Sequence, residues 1–212
     1  MARVYFKDIT EFKEYATKND ISNIVVNFGN LTYDDIINNI NIFKKIQNLD
    51  CSRTQITKIP KELINLQYLY CSNTKITEIP KELINLQYLY CYYTKITEIP
   101  KELINLQYVD CSETMFTEIP ISFVNLQYLN CSYTNITEIP KELINLQHLN
   151  CSYTKIKQIP VTLDLLEHIY SDFIKISEHK PNVLKYKNVI KDIVKNGNVL
   201  NNDVNTFLCS YI

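Results

Sequence analysis

Glycine is nearly absent: Gly29 and Gly197 are the only two in 212 residues. Backbone that wraps a phosphate needs several, so the Gly-rich loops of nucleotide-binding proteins are excluded. Tryptophan is missing, and the three histidines, His148, His168 and His179, are too few and too scattered for a catalytic set. An excess of one charge is missing too. The 22 Lys and Arg against 23 Asp and Glu leave a net charge of −1, so no basic field draws in nucleic acid or an anionic membrane. No apolar run approaches a membrane span. The first twenty residues, MARVYFKDITEFKEYATKND, carry charges at positions 3, 7 and 8 and no stretch of signal-peptide length. The expectation is a soluble, cytoplasmic protein that is not secreted, needs no cofactor or metal, and binds neither nucleic acid nor membrane.

What is present is a period. The stretch IPKELINLQ at Ile59–Gln67 returns unchanged at Ile79–Gln87, Ile99–Gln107 and Ile139–Gln147, twenty residues apart each time. Self-similarity at a fixed spacing marks an array whose units bury their apolar faces only against one another. Aligned in columns from Leu63, the pattern is L-x-x-L-x-x-L-x-C-x-x-T-x-I-x-x-I-P. One inward column reads Cys51, Cys71, Cys91, Cys111, Cys131, Cys151, then Ser171. Another reads Thr54, Thr74, Thr94, Thr114, Thr134, Thr154.

At these residues the chain resembles the leucine-rich repeat family. Its segment L-x-x-L-x-L-x-x-N/C-x-L fits Leu66, Leu69, Cys71, Thr74 and Ile76 when Cys takes the third Leu slot and Thr the Asn slot. The twenty-residue length and the trailing Ile-Pro look most like the short repeats of bacterial effector proteins. The Asn, Ile, Lys and Tyr richness resembles uncharacterised leucine-rich repeat proteins of giant DNA viruses, which would place the protein in host cytoplasm or virion. The resemblance implies an α/β repeat solenoid, a right-handed coil with a parallel sheet on its concave face. A strand rises about 3.3 Å per residue and a helical residue about 1.5 Å, so so short a coil calls for a mostly extended convex side.

Residues 43–180 read as seven such coils, all within one continuous domain. Before them, residues 1–42 read as an α/β cap: a strand at Val4–Phe6, a helix opening at Asp8 and ending near Asn19, a strand over Ile21–Phe28, and a turn at Gly29-Asn30. From Tyr33 to Ile46, Ile36, Ile37, Ile40, Phe43 and Ile46 follow helical spacing. The seventh coil decays, and residues 181–212 read as a helical C-terminal cap.

Six cysteines spaced by twenty invite a disulfide ladder, since adjacent strands lie about 4.8 Å apart. Stacked parallel side chains point the same way, however, whereas a disulfide needs a torsion near 90°. The column reads as small buried residues instead, and Cys209 is the one thiol outside it. His148 and His168 share an outward column and can stack as neighbours, with no carboxylate or nucleophile column around them. The outward slots of the strands concentrate tyrosine: Tyr68, Tyr70, Tyr88, Tyr90, Tyr92, Tyr108, Asp110, Tyr128, His148 and Tyr170 make the expected binding face. The plainer reading of the same residues is cross-strand stacking that covers the sheet. The function expected is a non-enzymatic module for an as yet unidentified protein partner, its oligomeric state left open. The alternatives are a structural, self-assembling protein or the substrate reader of a ubiquitin-ligase-like effector, which would need a catalytic domain for which this chain has no room.

Overall fold

The computed structural model describes residues 2–171. The expected helical cap over 181–212, with Cys209 and His179, lies outside them. The first part of the chain forms β1 (Ala2–Phe6), α1 (Ile9–Lys18), β2 (Ile24–Phe28), α2 (Tyr33–Asn38) and α3 (Ile40–Phe43). The repeats contribute β3 (Asn48–Asp50), β4 (Tyr68–Tyr70), β5 (Tyr88–Tyr90) and β6 (Tyr108–Asp110). They continue with β7 (Tyr128–Asn130), β8 (His148–Asn150) and β9 (His168–Tyr170). All nine strands pair in parallel and in chain order within one sheet. Register follows the sequence period: Leu49 lies beside Leu69, and Leu69 beside Leu89.

Capping chemistry sets the first helix. Asp8 accepts hydrogen bonds from the Thr10 and Glu11 N–H groups at 2.9 and 3.0 Å, and Asn19 ends the helix. Glu11 reaches back to the Lys7 N–H at 2.6 Å, one residue short of the usual capping-box partner. Phe12 is fully buried between Phe6 and Phe43, with ring centroids 5.0 and 5.1 Å away. The apolar spacing from Tyr33 to Ile46 suggested one helix, but the structure breaks it at Asn39. There φ is −124° and ψ 27°, and the side-chain amide donates to the Asp35 carbonyl at 2.8 Å. Asn competes locally for helix carbonyls, and here it wins over periodicity. Val25 is buried as well as Ile24 and Val26, so β2 is covered on both faces rather than alternating.

Each coil then repeats one circuit. The strand's central Leu, the Cys, and the Ile and Leu columns are buried in a single core running from Phe6 to Leu163. No helix forms on the convex side of the described coils; after the extended run to Pro60, two tight turns follow, Leu63 N–H to Pro60 O and Leu66 N–H to Leu63 O, at 3.2 and 3.0 Å. The Cys slot does more than fill space. In Cys71 both the N–H (2.8 Å) and the thiol (3.4 Å) donate to the Tyr90 carbonyl of the next coil. Cys51, Cys111 and Cys151 repeat this with Tyr70, Asn130 and Tyr170. A small side chain with a weak donor suits a buried corner where a carbonyl has a second lone pair.

The threonines in the Asn slot satisfy backbone carbonyls of their own coil. Thr74, Thr94 and Thr134 Oγ1 donate at 2.6 Å to the Cys carbonyl of their own coil, so they close a corner rather than join coils. The amides that do join coils sit on the convex side, in the Asn-Leu-Gln that ends the IPKELINLQ stretch and its 119–127 variant. Asn65, Asn85, Asn105, Asn125 and Asn145 each donate to the carbonyl twenty-one residues earlier, at 2.7 to 3.0 Å.

The shortage of glycine shows just beyond each strand. Arg53, Asn73, Tyr93, Glu113, Tyr133 and Tyr153 all hold φ between 53° and 60°. Side chains with a Cβ occupy that left-handed region at a cost on the order of 1 kcal/mol each. The N–H groups of Arg53, Asn73, Glu113 and Tyr133 donate across to the next coil at 2.9 to 3.0 Å, which holds the conformation in place.

The six ladder cysteines are free and at most 2% exposed. We therefore expect a Cys209→Ser variant to show no fast reaction with an aromatic disulfide reagent until denaturant is added. Native labelling of two or more thiols would mean that the column faces solvent.

The tyrosine face and the histidine end of the sheet

The strands set two columns of side chains on the face turned away from the core. In the first, Tyr68 stacks on Tyr88 (centroids 4.3 Å, planes 7° apart), Tyr88 neighbours Tyr108 at 6.1 Å, and Tyr108 stacks on Tyr128 (4.1 Å, 3°). Tyr128 leads to His148 at 6.1 Å, and His148 stacks on His168 at 4.7 Å. In the second, Tyr70 stacks on Tyr90 at 4.6 Å, and Tyr90 crosses to Tyr108, also at 4.6 Å. The two columns merge there because Asp110 takes the slot where a third tyrosine would stand. Parallel in-register pairing puts identical residues one strand spacing apart, which is why rings meet face to face.

Sheet cover and exposed surface are therefore combined. Tyr108 touches three rings, and burial pushes its phenol and that of Tyr90 well above the ordinary value of 10.0. Burial also raises Tyr70, opposed by Arg3, whose guanidinium carbon lies 5.4 Å from the Tyr70 ring centroid. Asp110 is raised by burial, while the Ser112 hydroxyl and N–H, donating at 2.7 and 3.1 Å, pull the other way. Several polar positions on the strands or just after them are buried: Asn48, Asp50, Ser72, Ser112, Asn130 and Ser132 are at most 9% exposed. Short side chains in those columns lie beneath the level of the tyrosine rings and the following turn.

The exposed aromatics stand at the margin. Tyr93, Tyr133 and Tyr153 are 54%, 51% and 56% exposed, and Tyr133 stacks on Tyr153 at 4.4 Å. Tyr92 meets Tyr93 edge-on at 6.1 Å, joining this margin to the main face. All three stand at left-handed turn positions just beyond their strands. Tyr170 is 37% exposed on β9.

The histidine pair also has a carboxylate. A ligand atom from each of His148, Glu167 and His168 lies within 4.8 Å of the other two. Burial lowers the His148 pKa below 6.5, as does His168, while Glu167 raises it. The sequence signal for Glu167 was there: its column is Gln in every earlier coil from Gln47 to Gln147.

The convex side offers a different concavity, a trough of about 970 Å³ lined by the Ile-Pro-Lys-Glu columns from Ile59 to Ile119. Its lining changes little from coil to coil, so it carries little information to distinguish partners. Among the described residues no helix is long and apolar enough to cross a membrane.

Comparison with known proteins places this architecture. Leucine-rich repeat models match residues 64–102, as two copies, and residues 125–146. No curated protein matches the chain significantly. Among solved structures, an internalin from Listeria monocytogenes superposes with a TM-score of 0.65 at 17% identity, covering 85% of this chain and 57% of its own. The functional domain of InlJ from the same organism, described as including a cysteine ladder, gives 0.58 at 23%, covering 74% and 40%. The plant peptide hormone receptor RGFR1, in complex with RGF2, gives 0.60 at 26%, covering 82% and 31%. The chain thus spans less than two thirds of each of these structures. Leucine-rich repeat models thus match parts of the sequence, and the nine described strands, parallel in one sheet, give the chain the fold of a leucine-rich repeat solenoid.

Proposed function

We propose that this protein is a non-enzymatic module that binds a protein partner through its tyrosine-rich sheet face. The observation that carries the reading is the continuous ring array from Tyr68 to Tyr128, flanked by the half-buried Tyr92 and the exposed Tyr93. Stacked rings are already immobilised, so they lose little side-chain entropy on binding, and tyrosine combines large contact area with a hydroxyl. RGFR1, which shares the fold, was solved with a bound partner, and this supports a binding role. The Asn- and Ile-rich composition supports a source among the giant DNA viruses, with action in host cytoplasm or virion.

The test uses the bead-bound protein, a host-cell extract and mass spectrometry to identify the captured partner, followed by titration with variants. Tyr92→Ser with Tyr93→Ser should weaken the affinity at least about a hundredfold, since aromatic anchors of an interface cost about 2 kcal/mol or more each. The melting temperature should barely move. Tyr108→Ala is unsuited to the purpose: its ring packs on three others, and its loss should cost about 2–4 kcal/mol of stability. Lys81→Ala with Glu82→Ala on the convex side is the control. Loss of the partner from the convex variant alone would place the working surface on the opposite side.

A second reading has its own observation. Ile64, Ile84, Ile104, Val124 and Ile144 form an exposed aliphatic column on the convex side, 42% to 53% exposed. Such a stripe favours self-assembly. Light scattering after size exclusion separates the two: a monomer supports the partner-binding module, an ordered oligomer the assembly protein.

A further inference from the structure

The two columns that meet at the end of the sheet are monotonous until β8 and β9. The column before each strand is Gln47, Gln67, Gln87, Gln107, Gln127 and Gln147, and the first strand position is Tyr from Tyr68 to Tyr128. Then three departures arrive together: His148, Glu167 and His168. Each replaces a residue with little metal affinity by one that ligates metals, and the three are spatial neighbours within 4.8 Å. Drift in single columns would scatter such changes along the array.

We propose that His148, Glu167 and His168 form a binding site for a borderline divalent transition metal of the zinc class, which staples β9 to β8. Two imidazoles and one carboxylate are a zinc ligand set that leaves a fourth position for water. Hard cations such as calcium and magnesium favour all-oxygen shells and fit this set poorly. Backbone register holds the donors in place, because the Gln147 carbonyl accepts both the Glu167 and the His168 N–H, at 2.8 and 3.0 Å. His148 and His168 stack at 4.7 Å with planes 16° apart, and because an imidazole lone pair lies in its ring plane, one ring must turn for both to aim at a shared ion. A tetrahedral zinc ion needs ligand atoms about 3.4 Å apart. That turn and a contraction of up to about 1.4 Å fall on Glu167 and His168, both exposed and able to change rotamer.

Among the strands of the described coils, β9 is the least covered. His168 and Tyr170 of β9 are exposed and Ile169 is only partly covered, whereas the matching Leu149 is fully buried. A metal bound by the folded chain and not by the unfolded one stabilises by mass action. The staple is independent of whether the tyrosine face binds a protein.

The experiment is zinc titration of the full chain by calorimetry, with the cobalt(II) absorption spectrum as a second readout. Expected are one ion per chain, a rise in melting temperature on adding zinc, and a tetrahedral cobalt spectrum without a thiolate charge-transfer band. The variants His148→Tyr, Glu167→Gln and His168→Tyr restore the residues of the other coils and so favour folding. Each should weaken zinc binding at least tenfold, and the triple variant should lose the melting-temperature rise. Should the triple variant fail to fold, His168→Gln alone carries the comparison. Equal zinc affinity in wild type and triple variant, a thiolate band, or no binding at millimolar zinc would overturn the site.

Discussion

A variant lacking residues 1–42 is expected to aggregate rather than fold into a shorter solenoid. The deletion removes β1 and β2, the second of which pairs in parallel with β3, and α1, whose Phe12 packs against Phe43 at 5.1 Å. Phe43, Ile46 and Leu49, all at most 1% exposed, would lose their cover. Asn48 would lose the Ser22 and Ile24 carbonyls to which its amide donates. Each large apolar side chain brought back to water costs about 1.5–3 kcal/mol, and an unpaired strand edge adds a template for association. The total approaches the whole stability of an ordinary domain, about 5–15 kcal/mol. Deleting residues 81–100 should be far milder, because residues 61–80 and 101–120 present nearly the same faces and can stack directly. Light scattering and circular dichroism read both results. A soluble, folded monomer from the first variant would show that residues 1–42 fold as an independent unit.

The second large effect is alkaline. Burial raises the Cys51, Cys71, Cys91, Cys111 and Cys131 thiols well above 9.0, and it raises Tyr90 and Tyr108 above 10.0. The sign follows from where protons stay. A group whose folded value is raised keeps its proton in the folded chain, while the unfolded chain releases it above the ordinary value. The contribution to stability is therefore complete below pH 9 and is lost as pH rises toward the folded values. Five thiols releasing protons only on unfolding give a slope of about 7 kcal/mol per pH unit. Melting temperature should thus be flat from pH 7 to 8.5 and collapse within about one unit above 9. Tyr108→Phe, which keeps the ring and removes the proton, should reduce the part of the fall that lies above pH 10. A melting temperature unchanged at pH 11 would mean that thiols and phenols titrate freely in the folded state.

Much of this molecule is legible in its repeat. A period of twenty with consistently apolar columns determines that Leu69, Cys71, Ile76 and Ile79 point inward and that the strands pair in register, because a stacked coil has one way to bury one stripe. The tyrosine columns follow from the same alternation. What one column cannot show is what side chains do across columns. Only the folded chain decided that Tyr90 leans onto Tyr108, because the short Asp110 leaves the space beside it. Only the fold showed that Thr74 closes its own coil while Asn85 ties coils together; both are polar residues of fixed period, and the direction of a hydrogen bond is not a property of spacing. Asn39 broke a helix that periodicity favoured, since a local side-chain bond outweighed a weak propensity. Glu167 became a neighbour of His148 because the strands are short and the coil turns tightly, which brings residues nineteen apart in sequence within ligand distance in space.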